Sequence, residues 1–477
     1  MNALLALLSL ALCLAIAFLA EGGAAAVVFC VAVASIAGAL LHRVREHRVF
    51  FLRIFVGGLL VRAGVGTLIY FFELQEFFGG DALGYDWTGS ALMEGWQSRY
   101  GMSAVTRAWV NADSGWGMVY LVAIIYSVVG RNMLAVQLFN AVIGAATAPL
   151  IFLCAQHIFR SLRVAHLSAF FVAFYPSLVL WSSQGLKDGP IVFVLAVGML
   201  ATLKLGERLS VKYLITLVLS LAAILSLRFY IFFMMVAAIG GSLAIGMRQL
   251  TSQSLARQLA VVLVGGLCLT YMGVLSRAGA QLETYGTLER IQVSRSDLAT
   301  SANSGFGRDV DVSTTSGALS AIPMGMTYLL FAPFPWQLAS LRQSITLPEM
   351  IVWWASFPLL VLGLWFTVKY RLRAAMPVLI FTGMLTLAYS VFQGNVGTAY
   401  RQRAQLLVFY FIFVAVGYVL LKERREDEKR KQELARRAVT ESARAVQAGR
   451  RAAAETRLAR EKEWAHAARG LSEKVDS

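Results

Sequence analysis

Residues 71–96 read FFELQEFFGGDALGYDWTGSALMEGW. They follow an apolar run, 50–72, that meets the ~20 residues a helix needs to cross a bilayer. They hold Glu73, Glu76, Asp81, Asp86 and Glu94, in a chain that otherwise avoids acid outside its C-terminal stretch. Gly79 and Gly80 let the backbone turn sharply just before Asp81. After that turn, the spacing of Leu83, Trp87, Leu92 and Trp96 predicts an amphipathic helix lying in the interface, with aromatic rings at headgroup depth. The stretch therefore reads as the end of a span followed by an interfacial helix. Asp81 stands at the membrane edge, placed to act on something held there. A plain acidic loop excluded from lipid accounts for the same residues.

Outward from this stretch the chain has one character. It is 477 residues long, 58% hydrophobic and only 15% charged, far more apolar than a soluble domain. Apolar runs recur from end to end, which predicts an all-α polytopic membrane protein. About 12 transmembrane helices are expected, at 3–20, 24–42, 50–72, 132–157, 165–182, 189–206, 210–227, 229–247, 257–276, 349–368, 374–392 and 404–421. The loops 43–48, 158–164, 204–212, 248–257 and 369–373 all carry Lys or Arg, and with these spans all five fall on one side. That side is cytoplasmic by the positive-inside rule, and both termini join it. Residues 73–131, 183–188, 277–348 and 393–403 then face outward. The apolar stretches 116–130 and 319–337 are expected as interfacial or re-entrant segments, since a span at either one would invert everything after it.

Three parts follow from this layout. Residues 1–48 form an extra N-terminal hairpin, and its first run lacks a basic leader and reads as a retained span. Residues 49–421 form the main transmembrane domain. Residues 422–477 turn abruptly to Ala, Glu, Lys and Arg, which predicts a long, charged, cytoplasmic C-terminal helix. This tail is either simply solvated or binds anionic lipid or a cytoplasmic partner. The outward loop 277–348 begins rich in Ser, Thr, Gly and Asp, which marks a flexible stretch and suggests a lid. Pro333, Pro335 and Trp336 end any helix near its far end.

Several function classes are set aside by what the chain lacks. Its net charge of +16 fits the positive-inside bias, and no nucleic-acid partner is expected. The four cysteines, Cys13, Cys30, Cys154 and Cys268, lie inside apolar runs without metal or pairing spacing. All five histidines map to the cytoplasmic side, against an outward zinc site or Ser-His-Asp arrangement. No phosphate-binding P-loop or dinucleotide fingerprint is present. No metal and no cofactor is expected.

The positive-inside rule is most informative where it fails. Lys187 and Asp188 sit in YPSLVLWSSQGLKDGP, Arg228 sits between two spans in SLRFY, and Arg401 and Arg403 sit in GNVGTAYRQR. All are at outward span ends, on the same side as Asp81. Charges at a membrane edge are costly and tend to be functional. Arg suits phosphate because its fork binds two oxygens, and Lys adds a point charge. An ion pair between Lys187 and Asp188, with arginines snorkelling to lipid phosphates, is the structural alternative. Asp81 and Asp86 are candidate general bases, Asp81 favoured because it directly follows the turn. Tyr85 and Tyr400 are supporting candidates beside them.

The order of these features resembles the GT-C class of integral-membrane glycosyltransferases, in the group that includes protein mannosyltransferases and the lipid A aminoarabinose transferase. The features are a span ending in GGDALGYDWTGSALMEGW, then the approach segment from SGWGMVYLVAIIYSVVG to FLCAQHIF, then YPSLVLWSSQGLKDG and a late GTAYRQR. The resemblance covers roughly residues 50–420. It implies that Asp81 is the acidic catalytic residue of the first outward loop. It matches Lys187 and Asp188 to a later charged outward loop, and Arg401 and Arg403 to an Arg-bearing segment before a late span. It further implies inverting transfer of a sugar from a polyprenyl-phosphate donor to a lipid or glycan acceptor at the outer, periplasmic face of the inner membrane. The extra N-terminal hairpin, the lack of a large soluble outer domain and the charged tail depart from the class. Two other readings stay open: an envelope polysaccharide polymerase or ligase, and a transporter or flippase of lipid-linked glycan. The latter would show symmetric halves with broken helices, and no internal repeat is visible.

Overall fold

The structure, a computed structural model, describes residues 3–98, 101, 103, 115–245, 252–300, 304–338 and 340–472. Arg248 and parts of the expected outward loops 73–131 and 277–348 lie outside the described residues. Nineteen helices are described, α1 (Ala3–Leu19), α2 (Gly23–His42), α3 (Arg48–Phe71), α4 (Gln75–Phe78), α5 (Asp81–Gln97), α6 (Trp116–Val129), α7 (Met133–Phe159), α8 (Leu162–Phe174), α9 (Pro176–Ser182), α10 (Asp188–Glu207), α11 (Val211–Leu227), α12 (Phe229–Ile245), α13 (Ser252–Tyr271), α14 (Val274–Tyr285), α15 (Leu288–Thr300), α16 (Thr315–Phe331), α17 (Leu341–Tyr370), α18 (Leu372–Phe392) and α19 (Val396–Ser472). No strand occurs among the described residues; one isolated bridge joins Gly305 to Asn395.

Each expected span has a helix in its place. Against the expected 12, seven of the described helices are long and apolar enough to cross a membrane on their own, or up to nine if each bent pair is one span. The bent pairs are α8 with α9, at 53°, and the last part of α13 with α14, at 79°. Helices α1, α11 and α12 have 17 residues each, the lower end of a span's length. The expected straight spans 165–182 and 257–276 are thus broken. Pro176 has no N–H to offer the carbonyl of Val172, so the first helix stops and a second starts at an angle.

The core is built around α7. This helix is apolar all round and most of it is buried, as expected of a helix surrounded by others. Helices α2, α3, α8 and α10 pack on it. Ala141, Gly144, Ala145 and Ala148 are all buried along it, and such small residues let neighbouring backbones come close. A Cβ added to Gly144 would meet Cβ of Ser182 at 2.5 Å and Nε of Arg62 at 3.0 Å. Near the start of α3 its contact with α7 is aromatic, with Phe51 edge-on to Phe152 at 5.1 Å between ring centroids.

Two stretches differ from expectation. The loop 277–348 is largely helical, in α14, α15 and α16, where its Ser/Thr/Gly content predicts a flexible segment. Its far end behaves as predicted: α16 stops at Phe331, just before Pro333. The outward loop expected at 393–403 is only three residues long, because α19 begins at Val396. Asn395 caps it, its Oδ1 accepting from the N–H groups of Gly397 at 2.7 Å and Thr398 at 3.3 Å. An Asn at this position satisfies the orphan amides of the first turn. By internal contacts, residues Met1–Gly417 form one compact unit and Tyr418–Ser477 a second. In the second, every described side chain from Lys422 to Ala465 is exposed.

Candidate active site

Asp81 is the first residue of α5. Gly79 before it has φ +156°, a value only glycine adopts readily, and it separates α4 from α5. Helix α5 then packs on α6, and its Ala82, Tyr85, Gly89, Leu92 and Met93 are buried. Leu83, Trp87 and Trp96 are exposed. Of the four residues expected on the interfacial stripe, Leu92 is instead fully buried. The contact is close at Gly89, where an added Cβ would lie 2.8 Å from Cβ of Val122.

Asp188 is the first residue of α10. The short segment 183–187 that delivers it is held from α7. Asn140 Nδ2 donates to the carbonyls of Gln184 at 2.6 Å and Leu186 at 2.8 Å. Gly66 of α3 lies against the carbonyl of Ser183, which an added Cβ would meet at 2.7 Å. Both carboxylates stand at helix N-termini, where the helix dipole favours negative charge.

The two carboxylates, distant in sequence, meet on one side chain. Arg401, in the second turn of α19, donates from Nη1 to Asp81 Oδ2 at 2.7 Å and from Nε to Asp188 Oδ2 at 2.7 Å. Its Nη2 lies 2.6 Å from the same Asp188 oxygen. The guanidinium also stands 5.7 Å from the ring centroid of Trp181. The pairing is lopsided: the side chain of Asp188 is 1% exposed, that of Arg401 14% and that of Asp81 56%. The pair with Asp188 is therefore the fixed one, and the pair with Asp81 faces water and can be exchanged.

Two further cations stand around this group. Lys187 precedes Asp188, with its ammonium 5.9 Å from the ring centroid of Tyr85. Arg228 follows α11, 5.8 Å from the ring centroid of Tyr230. Both, like Arg401, act electrostatically on Asp188. Oδ1 of Asp188 and Nη1 of Arg228 are buried polar atoms with no hydrogen-bond partner among the described residues. Three cations around two carboxylates leave the site net positive, which suits an anion.

Not every candidate is brought here. Asp86 sits one turn along α5 and is engaged elsewhere: Arg131 Nη2 donates to its Oδ2 at 2.5 Å and the hydroxyl of Tyr126 to its Oδ1. Arg403 is fully buried and donates to the carbonyls of Leu330 at 2.9 Å and Leu329 at 3.4 Å, and to Met350 Sδ at 3.0 Å. Tyr400 donates to buried Glu349 at 2.7 Å. The reason is helical: with α19 starting at Val396, Tyr400 and Arg403 share a face that Arg401 does not. Sequence reasoning did not find Asn140, Glu349, Trp181, Arg295 or Arg62. For Arg62 a signal existed, a cation inside an apolar run. Among the described residues, no three His, Cys, Asp or Glu side chains come close enough to hold a metal ion.

A family model described as dolichyl-phosphate-mannose-protein mannosyltransferase matches residues 113–273. This agrees with the GT-C resemblance over about a third of the chain. The matched third of the chain contains Lys187, Asp188 and Arg228; Asp81, Asp86, Arg401 and Arg403 lie outside it. No curated protein matches the sequence. Among solved structures, the chain is similar to the archaeal oligosaccharyltransferase AglB from Archaeoglobus fulgidus, in complex with an inhibitory peptide and a dolichol-phosphate. The TM-score is 0.44 at 14% identity, over 80% of this chain and 51% of that one. The chain thus spans about half the length of the structure it matches.

Proposed function

We propose that this chain is a membrane glycosyltransferase that moves a sugar from a polyprenyl-phosphate donor to a lipid or glycan acceptor at the outer, periplasmic face of the membrane. The observation that carries the reading is the meeting of Asp81 and Asp188 on Arg401. The donor arrives within the bilayer and presents its phosphate at the membrane edge. Arg401 binds that phosphate with Lys187 and Arg228, and Asp188 holds Arg401 in place from behind. The phosphate takes over the donors that Arg401 shares with Asp81. Asp81, released, accepts the proton of the acceptor hydroxyl as its oxygen attacks the anomeric carbon. The bond from that carbon to the phosphate oxygen breaks, and the electron pair leaves with the phosphate. The cations stabilise the charge that develops there. Attack opposite the leaving group inverts the anomeric centre. Asp86, already paired with Arg131 and Tyr126, orients α5 with Tyr85, and Arg403 with Tyr400 fixes the inner face of α19.

The test uses the purified full chain in lipid, radiolabelled polyprenyl-phosphate sugars with mannose first, and a crude envelope fraction as acceptor. Native protein is expected to transfer label and Asp81→Asn to lose about 10²–10⁴-fold of the rate. Equal transfer by folded Asp81→Asn removes Asp81 from its role. No transfer from any such donor by folded native protein overturns the donor class.

A further inference from the structure

Arg62 lies near the middle of α3 and is 1% exposed. Among the described residues, no carboxylate forms a salt bridge with it. Its guanidinium instead closes the break between α8 and α9. Nη2 donates to the carbonyl of Val172 at 3.0 Å and Nη1 to that of Ala173 at 2.6 Å. Val172 is the residue whose carbonyl Pro176 cannot serve, since proline has no N–H. Both carbonyls end α8, where the helix dipole is negative and a cation is favoured. Nε donates across the break to Ser182 Oγ at 2.8 Å, the last residue of α9. A cavity of about 20 Å³ is lined by Arg62, Ser182 and Asp188 among others. One side chain of α3 thus holds both halves of the broken span. Helix α3 leads to Asp81, and α9 leads through 183–187 to Asp188.

We propose that Arg62 is a positioning residue for the transfer reaction: it sets the bend at Pro176, and through α9 the place of Lys187 and Asp188 relative to Asp81. This rests on the donor-transfer reading above, so one arm of the test does not use transfer. Arg62→Gln, Arg62→Lys, Ser182→Ala and the double Arg62→Gln/Ser182→Ala are compared with native full chain in lipid. The probe is radiolabelled mannosyl-phosphoryl polyprenol. A misplacement near 1 Å costs about 100-fold in rate, the loss expected for Arg62→Gln. Arg62→Lys, keeping the charge and part of the donor set, is expected to recover about 10-fold of it. The double variant is expected to transfer no less than Arg62→Gln alone, since both remove one contact.

The second arm reads dipolar broadening between nitroxides at Leu83 on α5 and Lys187. Arg62→Gln is expected to change the spectrum and Arg62→Lys to restore it. If native protein does not transfer from the probe, the function reading is what fails, and the spectra alone decide the positioning. If Arg62→Gln does not fold, Arg62→Lys and Ser182→Ala carry both arms. Native-like transfer and native-like spectra in the folded variants overturn the proposal, as do losses that simply multiply in the double variant.

Discussion

Asp81 and Asp188 share one guanidinium but not one environment, and they should respond differently to the same change. Asp81 is more than half exposed, and an ion pair of that kind is worth about 0–1 kcal/mol. Asp81→Asn is expected to leave the unfolding midpoint in detergent nearly unchanged while transfer is lost. Asp188 is out of water, and removing one partner of a buried pair costs about 3–5 kcal/mol. Asp188→Asn is expected to lower the midpoint clearly, and equal midpoints would mean that Asp188 does not anchor Arg401. Asp81 was legible as an acid directly after a glycine turn at a span end, and Arg401 and Lys187, with Asp188 beside it, as cations at span ends where the positive-inside rule expects none. Arg403 was placed with them only because GTAYRQR was read as a loop. In a helix, neighbours two apart point to different sides. Glu349 gave no signal, since a lone acid at the start of an apolar run looks like a span end, and its partner Tyr400 is 51 residues away.

At the scale of elements, the site depends on how closely three helices approach. Gly66 on α3 touches the carbonyl of Ser183, and Gly89 on α5 touches Val122 on α6. Overpacking a close contact costs about 1–3 kcal/mol. Gly66→Ala is expected to push segment 183–187 away from α3 and lower kcat about 10- to 100-fold, in line with a misplacement below 1 Å. Gly89→Leu is expected to part α5 from α6 and lower the unfolding midpoint. Native kinetics in Gly66→Ala would mean the segment moves without consequence. The helices themselves were largely readable, since apolar runs of span length admit little else. The break at Pro176 was missed although the Tyr-Pro pair signals it, because the apolar run continues through it. The helices within 277–348 were missed for a different reason. Composition averages over the whole stretch, whereas these helices rest on tertiary contacts. Arg295 of α15, for example, donates to the carbonyl of Gln393 at 2.5 Å.

For the whole molecule, the compact unit Met1–Gly417 and the exposed helix beyond it should separate cleanly. A chain stopped after Glu423 is expected to keep its stability within about 0.5 kcal/mol, as for exposed residues without buried contacts, and to transfer at close to the native rate. A large fall in either would give the tail a structural role. The sidedness read from Lys and Arg can be checked in intact cells with a chain freed of its native cysteines. Single cysteines at Arg45 and Arg371 are expected to react with an impermeant reagent only after permeabilisation, and one at Glu73 before it. Labelling of Arg371 from outside would shift the span count by one.

The partners of Arg62 also set a timetable for synthesis. Val172 and Ala173 lie 110 and 111 residues further along the chain. At about 5–20 residues per second, a ribosome takes roughly 5–20 s to make that interval. Throughout it, α3 has a bare arginine where the cost at mid-bilayer is about 2.5–3.5 kcal/mol. Only the emergence of α8, with the carbonyl that Pro176 leaves free, relieves it. Helix α3 therefore carries that cost until a later helix is made, and the chain's middle third completes the packing of its beginning.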